Sequence, residues 1–160
     1  MSLSPGSDGE PITPEGLKAL KQELSELETS GRRAIAQRIL IARGHGDLSE
    51  NAEYHAAKED QAHMETRIKR LKQRLRAAVV TETVTDGDTF SFGRTAEVVD
   101  EDSGAVSAWT LVGPAEADMT QGKLSSQSPV GQALAGRSLG ETVEVATPRG
   151  SRRLRIQRLL

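Results

Sequence analysis

The side chains best placed to do chemistry sit in one short stretch, His45-Gly46-Asp47-Leu48-Ser49-Glu50-Asn51. Asp47 and Glu50 are three positions apart, and that spacing admits two readings. As a capping box, Asp47 would accept from the backbone N–H of Glu50 while Glu50 reaches back to the N–H of Asp47. As a ligand pair, both carboxylates would project from the turn and hold a divalent cation. Hard oxygen donors suit Mg²⁺, which rarely has an all-protein cage. Two carboxylates alone make a weak site, so the rest of the coordination would have to come from a partner. Other candidate groups are poorer. His55 and His63 share a helix face only loosely and no His-Glu-x-x-His surrounds them, which argues against zinc. Neither a Gly-x-Ser-x-Gly elbow nor a Gly-x-x-x-x-Gly-Lys loop is present. There is no cysteine, so disulfides and thiolate nucleophiles are excluded. The chain offers no self-contained catalytic constellation.

The elements that must position this turn are two long helices. Thr13 is a good N-cap and Pro14 suits the first helical position. Leu17, Leu20, Leu24 and Leu27 follow at heptad spacing, which continues less strongly through Gly31, Ala34, Arg38 and Ile41. Ile35, Ile39 and Ala42 form a neighbouring stripe, so the seam drifts or widens there. From Pro14 to Arg43 the helix would span about 45 Å. The second helix is expected to start at Asp47 or Ser49 and to run to about Val80. Its seam is Met64, Ile68, Leu71, Leu75 and Ala78, traced back through Gln61 and Ala57 to Tyr54. The short linker Gly44-His45-Gly46 forces the helices to lie antiparallel, so the carboxylates sit at the tip of a coiled-coil hairpin. Charge is segregated along it: Asp47, Glu50, Glu53, Glu59 and Asp60 lie around the tip, and a basic run from Arg67 to Arg76 lies near the base, read as a solvated face with ion pairs.

Composition bounds the rest. In 160 residues the net charge is −2, so the chain as a whole is no generic nucleic-acid binder. The only aromatic residues are Tyr54, Phe90, Phe92 and Trp109, thin for a deep small-molecule pocket or for stacking bases. No run approaches the roughly 18 apolar residues of a membrane span, and no signal peptide opens the chain; a cytoplasmic location without a membrane partner is expected. Residues 1–11 are rich in Ser, Gly and Pro and read as a disordered extension. Residues 12–81 form the hairpin and 82–160 a second domain. There, Thr95–Asp100, Ala105–Val112, Glu141–Thr147 and Arg152–Leu159 read as strands of a mostly antiparallel sheet. Ser128-Pro129 reads as the N-cap and first residue of a short helix, Val130 to Ala135. The group Arg152-Arg153-x-Arg155 reads as the exposed face of an edge strand.

Ala42-Arg43 followed by His45-Gly46-Asp47-Leu48-Ser49-Glu50-Asn51-Ala52-Glu53-Tyr54-His55-Ala56-Ala57-Lys58-Glu59 resembles the tip signature of the bacterial transcript-cleavage factors GreA and GreB. Trp109 to Asp118 and Ser128-Pro129-Val130-Gly131-Gln132-Ala133-Leu134 resemble that family's C-terminal segments, with the closer likeness to GreA. The resemblance covers roughly Ile12 to Leu160. It implies an α+β two-domain fold, an antiparallel coiled-coil hairpin followed by a small FKBP-like domain. It also implies a function: the C-terminal domain docks at the rim of the RNA polymerase secondary channel and the hairpin enters it. Asp47 and Glu50 then help the polymerase's own centre, through a shared Mg²⁺, to cleave backtracked RNA. By the same resemblance Lys58 contacts the RNA 3′ end, Ser128 and Pro129 lie against the polymerase, and the factor is a monomer that is not itself an enzyme. Gly44 stands where the family often has Glu, which predicts a looser tip. That departure keeps a second reading in view, a Gre-like inhibitor that blocks the same channel. A prolyl isomerase or chaperone built on the FKBP-like domain is disfavoured by the scarcity of aromatic residues.

Overall fold

The computed structural model describes residues 9–160; residues 1–8 of the expected extension lie outside the described residues. The chain forms two compact units, one of Leu17–Ala77 and one of Ala78–Leu160 together with the segment ending at Gly16. The expected boundary at residue 12 shifts accordingly, because Glu10–Ile12 is a strand (β1) and belongs to the second unit.

The hairpin is made of α1 (Pro14–Glu26), α2 (Arg32–Arg43) and α3 (Ala52–Ala77). Thr13 starts α1 as expected, its Oγ1 accepting from Gly16 N–H at 3.0 Å. Between α1 and α2 the helix does not break but widens into a π turn, Leu27–Gly31, in which the N–H of Arg32 reaches the carbonyl of Leu27. A π turn inserts one extra residue into the helical ladder. Its effect on the seam is direct. The heptad positions expected beyond Leu27 shift by one, so Ile35, Ile39 and Ala42 are buried, while Arg38 and Ile41 face solvent. The hydroxyls of Thr29 and Ser30 donate to the carbonyls of Ser25 and Glu26, four residues back, a pattern that bends and loosens helices. On α3 no such slip occurs. Ala57, Ile68 and Leu71 are buried and Tyr54, Gln61, Met64 and Leu75 half-buried, the heptad that the sequence predicts.

Ion pairs join the helices at several heights. Glu23 takes Arg67 at 2.8 Å, Arg32 takes Glu65 at 2.9 Å, and Arg38 takes Asp60 at 2.9 Å. Lys72 and Arg32 both approach Glu28. Part of the basic run on α3 is therefore answered by carboxylates of the opposite helix, as the solvated-face reading expects.

The helix expected to continue to Val80 stops at Ala77, and Ala78–Val80 (β2) pairs in parallel with β1. Three-residue strands leave too short a pattern to be seen in a sequence. The main sheet contains β3 (Thr95–Asp100), β4 (Val106–Val112), β5 (Lys123–Ser125), β6 (Thr142–Thr147) and β7 (Gly150–Leu159), in the order β5-β4-β3-β7-β6. Three contacts are antiparallel and β4–β5 is parallel, so the sheet is mixed. Helix α4 (Pro129–Leu134) packs on it, and Phe90, Ala96, Val98, Leu111, Leu124, Leu134, Leu154 and Ile156 form the core. One expectation is corrected: β7 is an interior strand, between β3 and β6, and not an edge. Arg152, Arg153 and Arg155 instead pair with Asp100, Asp102 and Glu101 at the β3–β4 turn.

The segment before α1 is anchored within its own unit. Ile12 is buried and its carbonyl accepts from Thr81 N–H at 2.9 Å. Glu116 accepts from both the N–H and the hydroxyl of Thr13. Gly113 is required here for space, since a Cβ would lie 1.9 Å from the carbonyl oxygen of Pro11.

Candidate functional site

The hairpin turn is tighter and more ordered by hydrogen bonds than its two glycines suggest. Gly44 is the C-cap of α2, with a right-handed φ of −70° that any residue adopts and an N–H that bonds the Ile41 carbonyl at 3.1 Å. Gly46 is the position that needs glycine, with φ at 109°. The chain then passes through a short 3₁₀ turn, Leu48–Glu50, and enters α3 at Ala52, later than the expected start at Asp47 or Ser49.

The capping box is not formed. Asp47 Oδ1 accepts from the N–H of Ser49 at 3.0 Å and from its hydroxyl at 2.8 Å. These bonds, the backbone one first, hold the Asp47 carboxyl below the usual carboxylate range. The Glu50 carboxylate is exposed and engages no hydrogen-bond or ion-pair partner among the described residues. The N-cap of α3 is Asn51, whose Oδ1 accepts from Tyr54 N–H at 3.1 Å. Asn51 Nδ2 also donates to the carbonyl of Ala42 at 2.6 Å. Three residues able to cap, Asp47, Ser49 and Asn51, stand within five positions, and sequence alone does not choose among them.

The other tip carboxylates are partly spoken for. Glu53 lies 2.9 Å from His45 Nδ1, and Asp60 is taken by Arg38. Glu59 lies 3.7 Å from His63 Nε2, so among the described residues Asp47 and Glu50 are the tip acids without a basic partner. Lys58 lies on the next turns of α3, exposed, with Nζ donating to Gln61 at 3.0 Å. No third His, Cys, Asp or Glu joins the pair in a cluster able to hold a metal ion among the described residues. Two oxygen-bearing side chains fit part of the shell of a hard cation.

Ser128 and Pro129 fall in the other unit. Ser128 caps α4, accepting from Gly131 N–H at 3.0 Å and donating to the Ser125 carbonyl at 2.7 Å. Pro129 is exposed at the first helical position. Beside them, Met119, Leu124, Ser128 and Val130 line an apolar hollow of about 360 Å³. Among the described residues, no helix is long and apolar enough to cross a membrane.

Comparison with known proteins places both units. A family model described as "Transcription elongation factor, N-terminal" matches residues 10–80, and one described as "Transcription elongation factor, GreA/GreB, C-term" matches residues 85–159. A protein of Bradyrhizobium sp. strain BTAi1 named "Transcription elongation factor GreA" is 45% identical over 150 residues, covering 93% of this chain and 95% of the relative. A Rhodospirillum rubrum protein of the same name is 47% identical over 143 residues, covering 89% and 91%. A crystal structure of GreA factor homolog 1 (Gfh1) of Thermus thermophilus is 29% identical, covers 95% of this chain and 99% of its own, and superposes with a TM-score of 0.42.

Proposed function

This chain belongs to the GreA/GreB family of transcription elongation factors, and on that premise we propose that its hairpin tip enters the secondary channel of RNA polymerase and stimulates cleavage of backtracked RNA. It is a transcription elongation factor; the finer reading concerns how its tip acts. The observation that carries this reading is the state of the two tip acids. Asp47 takes two hydrogen bonds from Ser49 on one oxygen, which lower its pKa, and has the other oxygen left over, while Glu50 is exposed and unengaged among the described residues. Acids held this way can be presented to a partner without first breaking an ion pair.

In this reading the chain is an activator and not a free-standing enzyme. Asp47 and Glu50 hold and orient groups at the polymerase's catalytic centre, which performs the cut. A second Mg²⁺ shared with the polymerase would, when bound, neutralise developing charge and favour ionisation of the attacking water. Lys58, a few turns of α3 from the acids, would meet the RNA 3′ end with its ammonium group. Ser128 and Pro129, with the apolar hollow beside them, would seat the second unit on the polymerase. The factor would act as a cytoplasmic monomer.

The test is RNA cleavage in stalled, backtracked polymerase complexes, comparing wild type with Asp47→Asn. Asparagine keeps the Oδ1 acceptor that Ser49 uses, so the turn survives while the charge is lost. Stimulated cleavage should fall about 100-fold or more, the scale seen when a preorganised electrostatic group is removed, with binding to polymerase retained. Unchanged cleavage would reduce Asp47 to a turn former. Wild-type protein that binds and slows elongation without cleavage would instead assign it to the channel-blocking inhibitors.

A further inference from the structure

The turn that carries Asp47 and Glu50 is closed by one side chain to which the cleavage reading gives no role. The carboxamide of Asn51 lies between the last turn of α2 and the first turn of α3. Its Oδ1 accepts from Tyr54 N–H at 3.1 Å and its Nδ2 donates to the Ala42 carbonyl at 2.6 Å. The two ends of the amide are not interchangeable. A backbone N–H only donates and a carbonyl only accepts, so a single orientation satisfies both. Both partners belong to the groups that a helix end leaves without an intrahelical bond. The Ala42 carbonyl also takes His45 N–H at 3.1 Å, which uses its second lone pair.

The consequence is a closed loop. The carbonyl end of α2 and the amide end of α3 meet on one group, and everything between them, including Asp47 and Glu50, is strung from those two points. Inside the loop Asp47 is held by Ser49, but nothing among the described residues holds the Glu50 carboxylate. Its placement depends on where the 3₁₀ turn hands over to Asn51. A plain N-cap needs only an acceptor, and Ser, Asp and Asn serve about equally well there. The bond to Ala42 needs a donor as well, and of these three only asparagine presents both from one planar group.

We propose that Asn51 is a positioning residue for transcript cleavage: by bonding the end of α2 to the start of α3, its carboxamide fixes the spacing and direction of the Asp47 and Glu50 carboxylates. This rests on the reading of those two acids as the working pair. Displacement of a catalytic group by about 1 Å is enough to lower a rate about 100-fold, so loss of the clamp should be felt in turnover more than in binding.

The experiment uses the full chain on stalled, backtracked RNA polymerase complexes, at saturating factor, with Mg²⁺ titrated. Asn51→Ser keeps a cap for α3, adds no charge and is too short to reach Ala42. Asn51→Asp is isosteric, caps at least as well at the positive end of a helix, and turns an oxygen toward the Ala42 carbonyl. Both variants should keep wild-type far-ultraviolet circular dichroism and wild-type affinity for the complex. Both should lose cleavage about 10- to 100-fold at saturation and need several-fold more Mg²⁺ to reach half-maximal rate. If Asn51→Ser loses helical signal, Asn51→Asp carries the comparison. Wild-type cleavage and Mg²⁺ dependence in the variants, beside an inactive Asp47→Asn, would overturn the role of Asn51 alone. A defect cured by adding more factor would also overturn it. Full cleavage by Asp47→Asn would remove the reading beneath it.

Discussion

The one-residue slip at the π turn should be reversible by removing one residue, and only there. In an unbroken α-helix the seam that starts at Leu17, Leu20, Leu24 and Leu27 would present Gly31, Ala34, Arg38 and Ile41 to α3. The π turn presents Ile35, Ile39 and Ala42 instead. The exchange buries a net one isoleucine, worth about 1.5–3 kcal/mol, and leaves Arg38 in solvent with Asp60. Deleting Ser30 would close the π turn to an ordinary α turn and leave Ile35, Ile39 and Ala42 in phase. Ser30 is exposed and, among the described residues, its hydroxyl bonds only the Glu26 carbonyl, so stability should stay within about 1 kcal/mol. Deleting Gln37, beyond the π turn, would rotate the remainder of α2 by about 100° and put Arg43 in the site of Ala42, a residue only 3% exposed. A buried, unpaired cation costs about 3–5 kcal/mol. At roughly 4–8 °C per kcal/mol for a unit of this size, the hairpin should melt more than about 12 °C lower. Circular dichroism at 222 nm reads the hairpin, because α1, α2 and α3 contain most of the helix. Equal melting of the two deletions, or collapse of the Ser30 deletion, would refute the phase argument.

The second unit offers two further tests. Gly113→Ala would drive a Cβ against the Pro11 carbonyl and should cost about 1–3 kcal/mol, seen as faster hydrogen exchange at Thr81, whose N–H bonds Ile12; unchanged exchange would contradict it. The Asp100 carboxyl is held below the usual range by the N–H of Asp102 and then by Arg152. A depressed folded-state value means stability that is present above about pH 4 and lost as pH falls through that lower value. Asp100→Asn should therefore flatten the acid limb while lowering stability at pH 7, read by urea unfolding followed at Trp109; an acid limb as steep as wild type would refute it.

What the sequence made legible was whatever repeats over many residues. The heptad of α3 holds from Tyr54 to Leu75, and only its last expected position, Ala78, falls outside the helix, in β2. The seam of the first helix changes phase across Leu27–Gly31 without a sign in composition, since a π turn is a local change in hydrogen bonding. The neighbouring stripe of Ile35, Ile39 and Ala42 was its visible trace. At the tip, residue types showed that a cap and two free acids were available, but not which residue took which part. Asp47 could have capped α3; the 3₁₀ turn displaced that task to Asn51 and left Glu50 unbonded among the described residues. Strands β1, β2 and β5 are three residues each and pair in parallel with distant segments, so no local pattern announces them. The arginines of β7 looked like an edge because charged side chains usually mark one; acids at the β3–β4 turn supply the partners that let them stand on an interior strand.

The small residues of the seam bear on the calibre of the hairpin. The distance between packed helices follows the bulk of the side chains between them, within about 8–10 Å. Isoleucine and leucine fill the α3 side at Ile68 and Leu71, whereas toward the turn Ile39 and half-buried Tyr54 share the seam with two small buried residues, Ala57 on α3 and Ala42 on α2. An alanine at each of these two places lets the helix backbones approach more closely there than a leucine would, by as much as about 2 Å. A probe that must pass through an opening is limited by the width of its leading end. Enlarging Ala57 would leave every charge in place and make the tip blunt.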